Sequence, residues 1–136
     1  MTFAIKAEIR DPRAKTFTFS AHRTMYGGRR ITRGDRIFVF ASENEGGTGL
    51  IASGVVTSAR ATPRKRGTVR QTPRVSVAVR GTARARRRLG RGELRRFSDW
   101  HDGRPETELN FKLYRQATNK IAGISDDAAR FLRRFF

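Results

Sequence analysis

Ser42, Glu43 and Asn44 come directly after RIFVFA, an apolar run of strand-forming residues from Arg36 to Ala41, so rigid backbone would present them at the end of a buried strand. A carboxylate such as Glu43 accepts hydrogen bonds, and the Asn44 amide both donates and accepts. That pairing suits the edge of a nucleobase as well as it suits a solvated hairpin loop. Trp100, Tyr26 and Tyr114 offer the flat faces on which a base could stack, each with a polar tip. A lone tryptophan also serves as core or rim, and Tyr114 could seal a sheet against a helix. Asn110 is a further amide, with Gln116, Thr118 and Asn119 nearby, and such residues equally form turns.

The second constellation is electrostatic. Between Glu45 and Glu93 there is no acidic residue, while the cations include Arg64, Lys65, Arg66, Arg70, Arg74, Arg84, Arg86, Arg87, Arg88 and Arg91. Uncompensated positive charge repels itself and is tolerated best where a polyanion will sit; neutralising phosphates releases counterions and makes binding salt-dependent. Arginine adds a bidentate phosphate geometry that lysine lacks. These ten residues are the candidate phosphate-binding set, against the alternative that the whole chain is simply Arg-rich. The totals agree with a polyanionic partner: 30 cations against 12 anions, a net charge of +18 and a pI near 11.8.

Other chemistries lack their residues. With no cysteine there is no disulfide framework and no thiolate metal site, and His22 and His101 make a poor metal set. Gly46 to Gly49 (GGTG) lacks the following lysine of a phosphate-cradling loop. No cofactor is expected. No apolar run reaches the roughly 18 residues of a membrane span. The basic block also lacks the bulky apolar residues of an interfacial helix, so a soluble, cytoplasmic protein without a membrane partner is expected.

A length of 136 residues with 37% apolar content suits one domain, residues 1–136, carrying an Arg-rich insert around 61–96. Phe3 to Arg10 alternates with period two, placing Phe3, Ile5, Ala7 and Ile9 on one face and Lys6, Glu8 and Arg10 on the other, a half-buried strand. Asp11-Pro12 ends it. Lys15 to Arg33 reads as a polar connection holding a short helix or an ordered loop. Gly34-Asp35 forms a turn into the buried strand. Leu50 to Ala59 is a third strand, with Gly54 marking a bulge or a close neighbour. Val75, Val77 and Val79 define a fourth. Arg84 to Arg96 is either a short helix or a loop. Leu109 to Tyr114 (LNFKLY) reads as the last strand. A terminal helix follows, capped by Ser125, with Asp126 and Asp127 at its start, Arg133 and Arg134 at its end, and Ala128, Phe131, Leu132 and Phe135 as its apolar stripe. The order predicts an α+β fold around a small, curved, mostly antiparallel β-barrel with peripheral helices and a C-terminal helix.

Arg33-Gly34-Asp35-Arg36-Ile37-Phe38-Val39-Phe40, followed after a loop by Ile51, Gly54 and Val56 in an I-x-x-G-x-V strand, resembles the PUA-like superfamily, and within it the EVE-type domains. Asn110 to Arg115 followed by a helix is similar to the way such domains end. The resemblance implies a barrel that binds DNA or RNA, DNA slightly favoured, often with a pocket for a flipped, modified base. Phe3 stands where EVE-type domains commonly have tryptophan, and the Arg-rich insert has no counterpart in the pattern.

ASCH-type relatives carry a lysine, glutamate and arginine on an early strand, and some are thought to be hydrolytic. Lys6, Glu8 and Arg10 are the corresponding catalytic candidates, although K-x-E-x-R is one residue shorter than that family's spacing and the expected preceding glycine is missing. Cross-strand charge pairing explains the same three residues without catalysis. Three readings therefore stand side by side: a non-enzymatic base reader, an ASCH-like hydrolase of a nucleoside or RNA, and a charge-driven structural binder without a base pocket.

Overall fold

The computed structural model describes residues 1–63, 67, 73–116 and 119–136. Arg64, Lys65, Arg66 and Arg70 of the candidate phosphate set lie outside the described residues, as does Thr118. Six strands close into a barrel: β1 (Thr2–Ala7), β2 (Thr16–Met25), β3 (Arg36–Ala41), β4 (Gly49–Ala61), β5 (Arg74–Arg84) and β6 (Lys120–Ile124), in the order β1-β3-β4-β5-β2-β6. The β1–β3 and β2–β6 pairs are parallel and the other four antiparallel, so the sheet is mixed, with antiparallel pairing predominant.

The barrel interior is filled from alternate strand positions. Phe3, Ile5, Phe17, Phe19, Ile37, Val39, Val56, Val75, Val77, Val79 and Ile121 form one buried cluster. A second cluster lies between the outer face of the barrel and the helices: Ala4, Phe38, Phe40, Leu50 and Ile124 meet Leu94, Leu109, Leu113, Ala128 and Leu132. Strands β1 and β3 are thus covered on both faces, which is why Ile37 to Ala41 is apolar throughout. The covering elements are α1 (Arg91–Leu94), α2 (Pro105–Asn110), which runs on as π-helical turns over Phe111–Gln116, and α3 (Asp126–Arg133).

Gly54 marks both a close neighbour and a bulge. The β4–β5 register shifts between Ser53 and Gly54, and a methyl group there would lie 2.6 Å from the Arg80 carbonyl oxygen and from Val79 Cγ1. The terminal helix begins where its cap predicts, with Ser125 Oγ accepting from the Ala128 amide at 3.1 Å.

Three expectations are corrected. Lys15 to Arg33 is chiefly a strand, β2, in which Phe17 and Phe19 point inward and Thr16, Thr18 and Ser20 outward; only Gly28–Arg30 is helical, as a single 3-10 turn. Leu109 to Tyr114 is helical rather than the last strand. Pro105 occupies the first helical turn with Glu106 and Glu108 beside it, and Leu109 and Leu113 stand four apart, so both point into the core. The last strand is β6, KIAGI, whose inward Ile121 packs in the barrel. Finally, β1 ends at Ala7, and Lys6 is 2% exposed rather than part of a solvated face, while Glu8 and Arg10 are exposed beyond the strand end.

Candidate nucleic-acid interface

Lys6 and Phe40 are register partners in the parallel β1–β3 pair, so the loop that follows β3 lies beside the end of β1. The Ser42 amide donates to the Ala7 carbonyl at 2.8 Å, fixing the start of that loop, and Ser42 itself is buried. Glu43 then reaches across to the helical layer. Its carboxylate accepts from the Tyr114 hydroxyl at 3.0 and 3.1 Å and from the Arg91 amide at 2.6 Å. The Arg91 guanidinium donates to Asn44 Oδ1 at 2.7 Å and stands 5.9 Å from the centre of the Tyr114 ring. Beneath that ring, Lys6 Nζ lies 4.3 Å from its centroid. Five of the residues singled out in the sequence, Lys6, Glu43, Asn44, Arg91 and Tyr114, therefore meet at one place, with Ser42 anchoring the loop beside them.

The electrostatics follow from burial. Removal from water lowers the Lys6 pKa, an effect that Glu43 opposes and Arg91 reinforces. Burial raises the Tyr114 pKa, and the neighbouring Glu43 carboxylate raises it further, so the phenol stays protonated and donates to Glu43. The result is a carboxylate with fixed donors, an exposed amide and an exposed guanidinium on the rim of a cation–π pair. Such a rim can offer donors and acceptors to a planar polar ligand.

The remaining aromatic candidates stand elsewhere. Trp100 packs on Phe111 with ring centres 5.3 Å apart, and the Arg115 guanidinium covers it at 4.8 Å. Trp100, Arg104, Thr107, Glu108, Phe111 and Lys112 border a concavity of about 240 Å³. Tyr26, exposed and at φ 52°, has Lys112 Nζ 4.8 Å from its ring centre. That ammonium is itself held by Glu108 at 3.0 Å and by the Gly123 carbonyl at 2.9 Å. Asn110 is buried and donates to the Phe97 carbonyl at 3.0 Å, a bond that ties the chain before α2 to its end.

Within the candidate phosphate set, Arg84, Arg86, Arg87, Arg88 and Arg91 are all exposed along the segment leading from β5 into α1. Arg84 donates to the Arg13 carbonyl and Arg87 to the Arg134 carbonyl, each at 2.8 Å. Arg87 also lies over Phe135 at 4.5 Å, and Arg88 makes a loose, exposed contact with Glu93 at 3.9 Å. Arg74 sits apart at the start of β5. Its guanidinium donates to the Ala21 carbonyl at 3.0 Å. Beside it are Arg23 and Lys120, cations that the sequence did not single out; far apart in the chain, they become register partners only through the β2–β6 pairing. The three ASCH-type candidates do not assemble, because Lys6 is buried under Tyr114 while Glu8 and Arg10 follow the strand into solvent. Among the described residues, no three His, Asp or Glu side chains converge as a metal site, and no helix is long and apolar enough to cross a membrane.

No family model matches the sequence, and none of the curated proteins is a significant match. Solved structures do match. The DUF55 domain of human thymocyte nuclear protein 1 superimposes with a TM-score of 0.68 at 16% identity, over 96% of this chain and 95% of that one. This chain shares the fold of that domain, the kind of small closed barrel that the resemblance to PUA-like, EVE-type domains implied. Human THYN1 in complex with 5-methylcytosine-containing DNA matches with a TM-score of 0.63 at 15% identity, over 96% and 94% of the two chains. A Pseudomonas putida protein matches with a TM-score of 0.64 at 14% identity, over 99% of each chain. The resemblance that implied such a barrel rested on the Gly34-Asp35 turn and the Ile51–Val56 strand. Both stand at their expected places: Asp35 Oδ2 caps the turn by accepting from the Thr32 amide at 2.9 Å, and β3 follows directly.

Proposed function

We propose that this domain is a nucleic-acid-binding module that accepts a flipped base, modified cytosine in DNA ahead of RNA, and leaves it chemically unchanged. One observation carries the reading: the same fold, along 96% of the chain, is found in a protein held on 5-methylcytosine-containing DNA. A net charge of +18 and the exposed arginines after β5 supply attraction for phosphates that does not depend on sequence. The rim formed by Glu43, Asn44, Arg91 and Tyr114 supplies fixed polar groups beside an aromatic ring, which base discrimination requires. The separation of Lys6 from Glu8 and Arg10 favours binding over hydrolysis.

The test compares short DNA duplexes with and without 5-methylcytosine, and RNA of the same sequence, by fluorescence anisotropy at two salt concentrations. Tyr114→Phe keeps the ring over Lys6 but removes the hydroxyl bonded to Glu43. It is expected to reduce discrimination between modified and unmodified DNA by about tenfold, since a good polar contact to a base edge is worth on the order of 1–3 kcal/mol. Affinity that tracks phosphate count alone, with no preference among the three ligands, would replace this reading with that of a charge-driven structural binder.

A further inference from the structure

A different concavity lies on the β2, β5 and β6 side of the barrel. It encloses about 540 Å³, and its lining includes Arg23, Arg74 and Lys120 but no carboxylate. Three cations gathered without a counter-charge repel one another, so the arrangement is paired only when an anion enters. None of the three takes part in an ion pair among the described residues.

The backbone around them is shaped to hold them. The β2–β5 register shifts between Phe19 and His22, so the chain bulges at Ser20 and Ala21. Ala21 adopts φ 48° and Asn119, just before β6, φ 59°, both in the left-handed region that residues other than glycine seldom occupy. The bulge is secured at both backbone groups: the Ala21 amide donates to Ser76 Oγ at 2.8 Å, and the Ala21 carbonyl accepts from Arg74 Nη1 at 3.0 Å. Arg74 is therefore fixed by one of its five N–H donors, and the others have no hydrogen-bond partner among the described residues. Pairing of Arg23 with Lys120 across β2 and β6 sets the other two cations side by side. His22 also lines the hollow, and its Nδ1 is buried with no hydrogen-bond partner among the described residues.

We infer that this hollow is a phosphate-binding site, in which the anchored Arg74 and the flanking Arg23 and Lys120 hold one phosphate group of a polynucleotide backbone. The site is distinct from the Glu43 rim but lies near it: β6, which carries Lys120, pairs with β1 through Ile5↔Ile121, the position next to Lys6. A strand engaged at the Glu43 rim would thus be gripped a short way along its backbone. As a grip on a nucleic acid, this inference rests on the nucleic-acid reading above; as an anion site, it stands alone.

The experiment uses the full chain with Arg23→Ala and Lys120→Ala, separately and together, and Arg23→Glu as a charge reversal. These side chains are exposed or half-exposed, and Arg74 is left in place because it braces the bulge. Inorganic phosphate is titrated against the isotope-labelled protein, and amide shifts are followed at Ala21, Arg23, Asn119 and Lys120. Duplex DNA with and without 5-methylcytosine is titrated by anisotropy across a salt series. Saturable phosphate shifts at these amides, lost in the double variant, are expected. So are a roughly tenfold weaker DNA affinity at low salt and a salt slope shallower by about one, with the preference for modified DNA retained. Phosphate shifts without any DNA binding by the unaltered chain would overturn the nucleic-acid reading and leave a site for a free phosphate group. No saturable shift, or DNA affinity and slope unchanged in both the double variant and Arg23→Glu, would overturn the site itself.

Discussion

Lys6 is where the sequence and the folded chain disagree most sharply. Its neighbours in sequence, Glu8 and Arg10, are exposed, and the alternation of charges placed all three on one solvated face. In the fold the strand stops at Ala7, and the outer face of β1 is covered by the segment that carries Tyr114, so a full ammonium group is taken out of water. Nothing local announces this, because burial of that face depends on residues more than a hundred positions away. The consequence is measurable. With its folded pKa below the usual 10.5, Lys6 binds its proton less tightly when folded than when unfolded. Stability then rises with pH through the window below 10.5, and the contribution is absent at lower pH, where both states hold the proton. Denaturant unfolding of the unaltered chain and of Lys6→Met, from neutral pH to 10.5, should show the unaltered chain gaining stability relative to the variant as pH rises. A constant difference across that range would mean that Lys6 titrates normally.

At the scale of elements, β3 and β4 were legible as apolar runs between turn residues, β5 by its alternating valines and α3 by its cap and apolar stripe. Two segments were not. In β2, Phe17 and Phe19 give the period of two for only a few residues before the bulge at Ala21 breaks it, and the polar remainder reads as a loop. From Leu109 to Leu113 the apolar residues stand at i, i+2 and i+4, which satisfies a strand, while the i and i+4 pair satisfies a helix; Pro105 and the acidic first turn decide for the helix. The helical outcome matters for the site, since it lifts Tyr114 onto Glu43. The layer is tied to α3 by Glu108, which accepts from the Ser125 amide at 2.8 Å and from the Ser125 hydroxyl, while Ser125 Oγ caps Ala128. Ser125→Ala should therefore cost about 1 kcal/mol in thermal or denaturant unfolding from the lost cap. A value near zero would show that Glu108 alone suffices to start the helix.

Over the whole molecule, charge is unevenly spoken for. Arg84 and Arg87 are engaged with backbone carbonyls, but Arg86 and Arg88 are exposed and hold at most a loose contact with Glu93. The double change Arg86→Ala and Arg88→Ala should leave the fold intact, weaken DNA binding regardless of base modification, and flatten the dependence of log affinity on log salt by up to about two. An unchanged slope would take this segment out of the interface. Among the described residues, the basic block thus contains cations that bind backbone carbonyls and cations that do not, a division that composition could not show, because it turns on which carbonyls the fold brings within reach.

The barrel is completed by a strand of only five residues, β6, wedged between β1 and β2 near the far end of the chain. Until that short piece docks, Arg23 has no neighbour across the seam and the cylinder stays open. The proposed phosphate grip shares this closing strand, so a bound polyanion is expected to slow hydrogen exchange at Ile121 and Ala122 together with that of Thr24 and Met25.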